Sequence, residues 1–279
     1  MSTPVFLAVL AAAAMHASWN ALLKMQGDRF IAVLLISFGM GVAALPLLPF
    51  VAVPRGSTWV WVAASICLQI GYKYFLTRAY ETGDFAVAYP LARGAAPLLT
   101  TLGSVILLGE VPEPVAIMGI VLLCTGVVLM SVRRRGDGVG GRAVFFALVA
   151  SGFIAAYTLA DGVGARSAVD GISYIVWLFV LDGVASLVLG FALRGGRILP
   201  AMGREWKTVL GGGLLAALAY GIAVWAMTKA PIAAVAALRE TSILFAMMLS
   251  IFLLGEKTSR RRVAAGVVIV AGVLALRLG

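Results

Sequence analysis

The sequence predicts an all-α integral membrane protein of ten transmembrane helices, arranged as two inverted five-helix repeats around a central cavity. Three observations lead to this fold class: a mostly apolar composition, ten apolar segments of spanning length, and a repeat that relates the two halves. Apolar residues make up 62% of the 279 residues and charged residues only 12%, whereas soluble domains are about 45–50% apolar and about 25% charged. The composition therefore excludes a soluble globular domain.

The basic residues of the chain follow the pattern of a membrane protein. Formal net charge is +10, but most Lys and Arg residues lie in short segments between apolar stretches instead of along one solvated face. We therefore expect a lipid bilayer and a small-molecule metabolite as partners, no nucleic acid, and leave a homodimer open. Cys67 and Cys124 belong to no metal-binding or redox motif, so the sequence predicts no cofactor and no metal.

Ten apolar segments predict the transmembrane helices, since a helix needs about 20 mainly apolar residues to cross a bilayer. The sequence lacks strands of alternating pattern, which leaves a helical bundle as the spanning structure. None of the turn or charge clusters between the segments is long enough for a soluble domain. The ten segments are 4–23, 30–53, 59–79, 85–108, 114–132, 142–162, 172–193, 207–228, 232–254 and 262–278.

An internal repeat relates the halves at an offset of 146 residues. Arg93 aligns with Arg239, and the segment "LLGE" at 107–110 aligns with an identical segment at 253–256. The match covers the second part of each half, and the earlier parts align less closely. This repeat indicates that the chain arose by duplication of one helical unit.

The repeat divides the chain into a first five-helix unit, residues 1–137, and a second, residues 138–279. Because each unit has an odd number of helices, the second copy enters the membrane upside down relative to the first. Inverted repeats are the usual plan of secondary transporters, which bind substrate near the midplane between the repeats. We therefore expect a site between the two halves.

Ionisable side chains inside the predicted spans mark that site, because such groups are costly in lipid and normally face a bundle interior. Arg93 and Arg239 each lie about eight residues, or about 12 Å, into their segments, close to the middle of the bilayer. The six ionisable residues are His16, Lys73, Arg93, Asp182, Arg239 and Glu240. Three cations against two acids leave one positive charge, which predicts an anionic substrate group.

Glu240 is expected to pair with Arg93 or with Lys73, because neighbouring residues on a helix point about 100° apart and Arg239 is therefore a poor partner. A static brace between Arg93 and Glu240 is the alternative to a binding role for Arg93. We predict that Glu240, assisted by His16, exchanges a proton during transport. Simple hydrogen-bonded packing is the alternative for the histidine.

Aromatic and amide side chains supply further candidates. The first segment contains "HASWNALLK", in which Trp19 and Asn20 belong to a polar and aromatic face. An indole offers a flat apolar wall with one donor, so these residues are reasonable substrate contacts. Ordinary packing is the alternative for half of the aromatic residues. Further candidates on the third, sixth and eighth segments are Tyr72, Tyr80, Tyr157 and Trp225.

The sequence does not indicate an enzyme. It contains no phosphate-binding "GxxxxGK[ST]", no "HExxH" and no "GxSxG". A nucleotide-driven pump domain and an intramembrane hydrolase therefore have no visible motif. A scaffold that transports nothing remains an alternative of a different class.

Ten spans in two halves, with "LLGE" ending the fourth helix of each half, resemble the bacterial drug/metabolite transporter superfamily, and its EamA-type members in particular. The resemblance implies a small-solute transporter in the bacterial inner membrane, with a cavity lined by the first, third and fourth helices of each half. The positions that match its cavity are Trp19, Tyr72, Tyr80, Tyr89, Arg93, Tyr157, Trp225 and Arg239.

The sequence therefore predicts a secondary active transporter of a small polar metabolite that carries a carboxylate, amino-acid, phosphonate or phosphate group. Three cations, Lys73, Arg93 and Arg239, are the candidate anion ligands. An exporter of amino acids or lipophilic cations, with structural arginines, is the alternative. The distribution of Lys and Arg favours termini outside the cell, whereas the resemblance implies termini in the cytoplasm.

Overall fold

A computed structural model describes residues 1–24, 28–82, 85–131, 141–254 and 258–279. The predicted all-helical class is confirmed, since these ranges contain helices and no strand. The described helices are α1 Thr3–Lys24, α2 Arg29–Ala44, α3 Thr58–Thr82, α4 Phe85–Leu108, α5 Pro114–Ser131, α6 Gly141–Ser167, α7 Gly171–Arg194, α8 Ile198–Arg204, α9 Trp206–Met227, α10 Ile232–Arg239, α11 Ser242–Leu254 and α12 Arg260–Leu278.

Seven segments of the described chain are long and apolar enough to cross a membrane. They include α1, α4, α6, α7 and α9, together with α2 and its extension and most of α10 and α11. The helix α3 is less apolar because it contains Lys73 and Arg78, and α12 begins with three arginines. The chain is therefore a multi-pass membrane protein, and the number of ten membrane crossings remains a prediction.

Two predicted spans differ from the structure. The ninth, predicted as one helix over 232–254, is two helices, α10 and α11, separated after Arg239. The second, predicted over 30–53, leaves the α-helical form after Ala44 and continues as a 3₁₀ helix, Leu45–Phe50. Pro46 and Pro49 explain this second change, because proline has no backbone N–H to donate within an α-helix.

Side chains and one glycine set the ends of several helices. Asp28 accepts the backbone N–H groups of Phe30 and Ile31 at 3.0 and 3.1 Å and thereby caps α2. Asp170 caps α7 in the same way; hydrogen bonds from the Ser173 hydroxyl and backbone N–H lower the pKa of this carboxyl. At the end of α4, Gly109 has φ +66°, a left-handed conformation that favours glycine.

The helices of the two predicted halves pack against one another. In the described chain α1 packs on α9, α3 on α6, α2 on α7 and α5 on α12. The helices α4 and α10, which carry the two aligned arginines, also pack together. This arrangement brings Arg93 and the end of α10 to the interface between the halves.

Close approach of α5 and α12 depends on two facing glycines. A Cβ atom added at Gly272 would lie 2.8 Å from the carbonyl oxygen of Gly119, and one added at Gly119 would lie 2.9 Å from that of Gly272. Real Cβ atoms do not come so near a backbone oxygen, so the helices would have to separate. Small residues of this kind permit tight helix contact in lipid, where packing drives association.

We predict that Gly272→Ala lowers the unfolding temperature of the detergent-solubilised protein, because the new methyl group forces α5 and α12 apart. Gly211→Ala is the matched control, since a Cβ there meets nothing within 4 Å. The control should be neutral or stabilising by up to about 1 kcal/mol, as alanine favours a helix more than glycine. Equal melting of the two variants would contradict this packing.

Candidate substrate-binding site

A buried ion pair joins the two halves at the centre of the bundle. Arg93 on α4 binds Glu240 through two contacts: Nε to Oε2 at 3.0 Å and Nη2 to Oε1 at 2.8 Å. The residues are 6% and 5% exposed, respectively. The pair consists of one hydrogen bond from Nε and one ion-pair contact from Nη2, and it selects Arg93 from the two partners that the sequence allowed for Glu240.

The break between α10 and α11 gives Glu240 its position. The backbone N–H groups of Glu240 and Thr241 bond to carbonyl oxygens three residues earlier, which tightens the chain at the end of α10. The Thr241 hydroxyl donates to the Leu238 carbonyl oxygen at 2.7 Å. As a result, Arg239 ends one helix and Glu240 lies in the turn before the next.

Arg239 has a different environment from its repeat partner. Its guanidinium carbon lies 4.8 Å from the centre of the Tyr220 ring, a cation–π contact. Glu240 lies within electrostatic reach of Arg239 but makes its direct contacts with Arg93. Within the described ranges, no carboxylate lies at ion-pair distance from Arg239. Its positive charge is therefore the one best able to bind an incoming anion.

Asp161 on α6 is a buried acid that the predicted charge count omitted. It is 0% exposed and accepts hydrogen bonds from the hydroxyls of Tyr174, at 2.8 Å, and Tyr220. Ser65 also hydrogen-bonds to its side chain. Asp161 lies near the end of the predicted sixth span, and the six ionisable residues selected from the sequence did not include it.

The predicted surplus of one positive charge is therefore wrong. With Asp161 included, the three cations Lys73, Arg93 and Arg239 face three buried acids, Asp161, Asp182 and Glu240. With a neutral His16, the formal sum of this group is zero. A preference for anions must accordingly rest on the local environment of one cation and not on the total.

Lys73 belongs to a separate pair on α3 and α7. Its Nζ atom lies 2.8 Å from each carboxylate oxygen of Asp182 and 2.7 Å from the Ser186 hydroxyl. Lys73 is 4% exposed and Asp182 0%. An ammonium group has three donors, and all three are used here, so Lys73 has no donor available to an anion in this structure; its expected anion-binding role stays a prediction.

Several predicted aromatic residues do surround the arginines. Tyr157 is buried, with ring centres 5.8 Å from Tyr72 and 6.1 Å from Tyr220, so the three rings form a continuous row. His16 contacts Trp19 edge to face at 5.0 Å and lies within electrostatic reach of both central arginines. The structure thus brings both halves of the predicted site together.

The other predicted positions are less informative. Trp225 is half-buried and packs on the core near Tyr220, and Asn20 donates to the His16 carbonyl oxygen of its own helix at 2.8 Å. The side chains of Tyr80 and Tyr89 lie outside the described residues. The sequence did not indicate Tyr174 or the contact of the Tyr220 ring with Arg239, because both depend on tertiary contacts with Asp161 and Arg239.

The centre of the bundle is closed in this structure. Arg239, the most exposed of the three central charged residues, is only 9% exposed. A cavity of about 300 Å³ lies elsewhere, between α2 and the α8–α9 region, with Asp28, Arg197 and Arg204 in its wall. The two arginines and Glu240 are therefore buried in this structure, and the central cavity stays a prediction.

The first "LLGE" segment connects the two halves at the end of the bundle where Leu108 and Met1 pack against the same cluster. After the turn at Gly109, the Glu110 carboxylate binds Arg166 at the end of α6 and accepts the Ile232 N–H at the start of α10 at 3.4 Å. Arg166 also donates to the carbonyl oxygens of Met227 and Ala230. Glu256 of the second segment lies outside the described residues.

These features define a class: a multi-pass helical membrane protein with buried charges between its halves. Matches to the EamA-like transporter family cover residues 3–132 and 141–278. The chain therefore belongs to the EamA-like transporter family, and the resemblance predicted from the sequence is confirmed. Among curated proteins, none matches this chain.

One solved structure shares this fold. It carries the description "Crystal structure of protein" and aligns with a TM-score of 0.75 over 99% of this chain and 96% of the other, at 20% sequence identity. Similarity at this level of identity supports the fold of the described helices and says nothing about substrate.

We predict that Lys73→Met destabilises the protein by about 3–5 kcal/mol, because it leaves the Asp182 carboxylate buried without its cation. The double variant Lys73→Met, Asp182→Leu should recover most of this loss, since both charges are gone. Thermal unfolding in detergent measures the two effects. If the double variant is no more stable than the single one, the two side chains do not act as a pair.

Proposed function

We propose that this protein is a secondary active transporter of a small polar anion, carrying a carboxylate, amino-acid, phosphonate or phosphate group, by alternating access. Membership of the EamA-like transporter family supports transport. The observation that supports an anion is Arg239, which is buried, stacked on Tyr220 and not directly bound to a carboxylate in the described chain. A guanidinium in this setting binds carboxylate or phosphate oxygens through two parallel donors.

The proposal includes ten membrane crossings in two inverted repeats and a location in the bacterial inner membrane. In this arrangement α10 and α11 together make the ninth crossing. Discontinuous helices at the repeat interface are a common feature of binding sites in secondary transporters. The break after Arg239 is therefore consistent with a substrate site at this point of the chain.

The Arg93–Glu240 pair has two roles in the proposal. It braces α4 against the end of α10 in the closed state, as the structural alternative for Arg93 anticipated. During the cycle the substrate competes with Glu240 for Arg93. Proton exchange by Glu240, assisted by His16, stays the prediction from the sequence. This prediction for Glu240 requires the ion pair to open.

The aromatic residues give the site its apolar walls. Tyr72 and Tyr157 belong to the row of rings that reaches Arg239 through Tyr220, and Trp19 contacts His16. These side chains offer flat surfaces with hydroxyl or indole donors. Such walls select a compact substrate with an apolar part beside its anionic group. They also favour the second candidate function, an exporter of amino acids or lipophilic cations in which the arginines are structural.

The charge of Arg239 separates the two candidates. In proteoliposomes, we expect Arg239→Gln to reduce uptake of small anions, tested with aspartate and 2-aminoethylphosphonate, at least about tenfold, equivalent to about 1.4 kcal/mol of lost interaction. Transport of a lipophilic cation such as tetraphenylphosphonium should not appear in either protein.

A peripheral arginine provides the matched control. Arg277 binds the Met1 carbonyl oxygen at 2.7 Å and the Thr3 hydroxyl at 2.6 Å, away from the centre. Arg277→Gln should transport anions at close to the wild-type rate. Wild-type anion uptake by Arg239→Gln, or cation transport by the wild type, would reject the anion assignment.

A further inference from the structure

The neutral charge sum of the buried group sets a requirement for anion transport, if the proposed function holds. Lys73, Arg93 and Arg239 are already balanced by three acids. A monoanion that enters this interior leaves one uncompensated negative charge, and an isolated buried charge is costly in a membrane protein. Uptake of one proton by a buried carboxylate removes that cost.

The three buried acids differ in the partners that stabilise their ionised form. Asp182 has an ammonium at 2.8 Å from both of its oxygens, and Glu240 has two contacts with one guanidinium. Asp161 has only hydroxyl partners among the described residues, with no cation at ion-pair distance. It is therefore the acid that can take a proton without breaking an ion pair.

Asp161 is also connected to the proposed anion site. Tyr220 donates its hydroxyl to Asp161 while the face of its ring carries the Arg239 guanidinium at 4.8 Å. Tyr220 therefore contacts both Asp161 and Arg239. The groups that face Asp161 are Ser65 of α3, Tyr157 of α6, Tyr174 and Asp182 of α7, Tyr220 of α9 and, across the ring, Arg239 of α10.

We propose that Asp161 is the proton-binding site that couples transport to the proton gradient, with Tyr220 as the spacer that links it to anion binding at Arg239. When an anion neutralises Arg239, the ionised form of Asp161 loses electrostatic stabilisation. A proton from water then adds to one of its carboxylate oxygens. That oxygen then becomes a donor, so one hydroxyl partner turns from donor to acceptor. No covalent bond to the substrate forms or breaks.

The test uses the full-length protein in proteoliposomes that contain a pH-sensitive dye, with aspartate and 2-aminoethylphosphonate as probes. In the wild type, anion entry should bring protons with it. Asp161→Asn should still exchange internal for external anion within about twofold of the wild-type rate, because Tyr174 keeps an amide oxygen as acceptor. Its proton movement should fall at least about tenfold, corresponding to about 1.4 kcal/mol.

Two further variants separate Asp161 from the other acids. Lys73→Met, Asp182→Leu removes a buried acid together with its cation and should keep proton movement. Glu240→Gln reports on the alternative acceptor. Proton movement that persists in Asp161→Asn, or that disappears in Glu240→Gln while Asp161→Asn retains it, would overturn the inference.

An infrared measurement on the wild type covers the case in which Asp161→Asn fails to fold. Addition of the transported anion should produce the carbonyl stretch of a newly protonated carboxyl group. The double variant Lys73→Met, Asp182→Leu keeps the formal charge sum at zero and should keep that band. Absence of the band would contradict proton uptake by Asp161. If the wild type transports neither probe, the proposed anion transport is wrong, and this inference, which rests on it, is wrong as well.

Discussion

Three positive charges lie inside the helical bundle, and the neutralisation of those charges governs the arrangement of the helices around them. A buried ion is tolerated only with a partner, since its desolvation costs more than most single packing contacts contribute. Lys73 obtains Asp182 from α7, and Arg93 obtains Glu240 from the turn after α10. Each pair joins helices of different halves, so charge balance and tertiary packing are satisfied by the same contacts.

Among the described residues, Arg239 has no carboxylate at ion-pair distance, whereas the aligned Arg93 has Glu240. This difference distinguishes the two halves. Duplication gives both copies an arginine at the same position, but only the second copy has an acid next in sequence. Glu240 cannot turn back to its neighbour and instead binds Arg93. Arg239 is left with a tyrosine face, and its more distant acid, Asp161, is reached through that tyrosine. A duplicated sequence has thus produced one braced arginine and one available for a ligand.

The helix α10 connects this centre to the end of the first half. Its first residue is held by Glu110, and its last residue is Arg239. All eight residues of α10 are buried. The "LLGE" motif therefore has a physical meaning in the first half: glycine turns the chain, and glutamate holds the start of the helix that carries Arg239.

The sequence was sufficient to predict the helical class and the family, and it narrowed the partner of Glu240 to Arg93 or Lys73, because each leaves a local signal: apolar length, a repeated motif, or a charge within a span. It could not predict the break after Arg239, which depends on a threonine hydroxyl bonding to its own backbone. The role of Asp161 was also missed, since the hydroxyl groups that bind it are about 13 and 59 residues away in sequence. Lys73 was predicted to bind the anion because the sequence does not show its partner: Asp182 lies on α7, and no local pattern connects the two residues.

The central claim is that anion binding at Arg239 requires proton uptake by a buried acid. Calorimetric titration of the detergent-purified wild type with aspartate and with 2-aminoethylphosphonate, in buffers of different ionisation enthalpy, measures the protons taken up on binding. Binding with uptake of about one proton per anion is the expected result. Binding with the same heat in every buffer, and therefore without proton uptake, would contradict it.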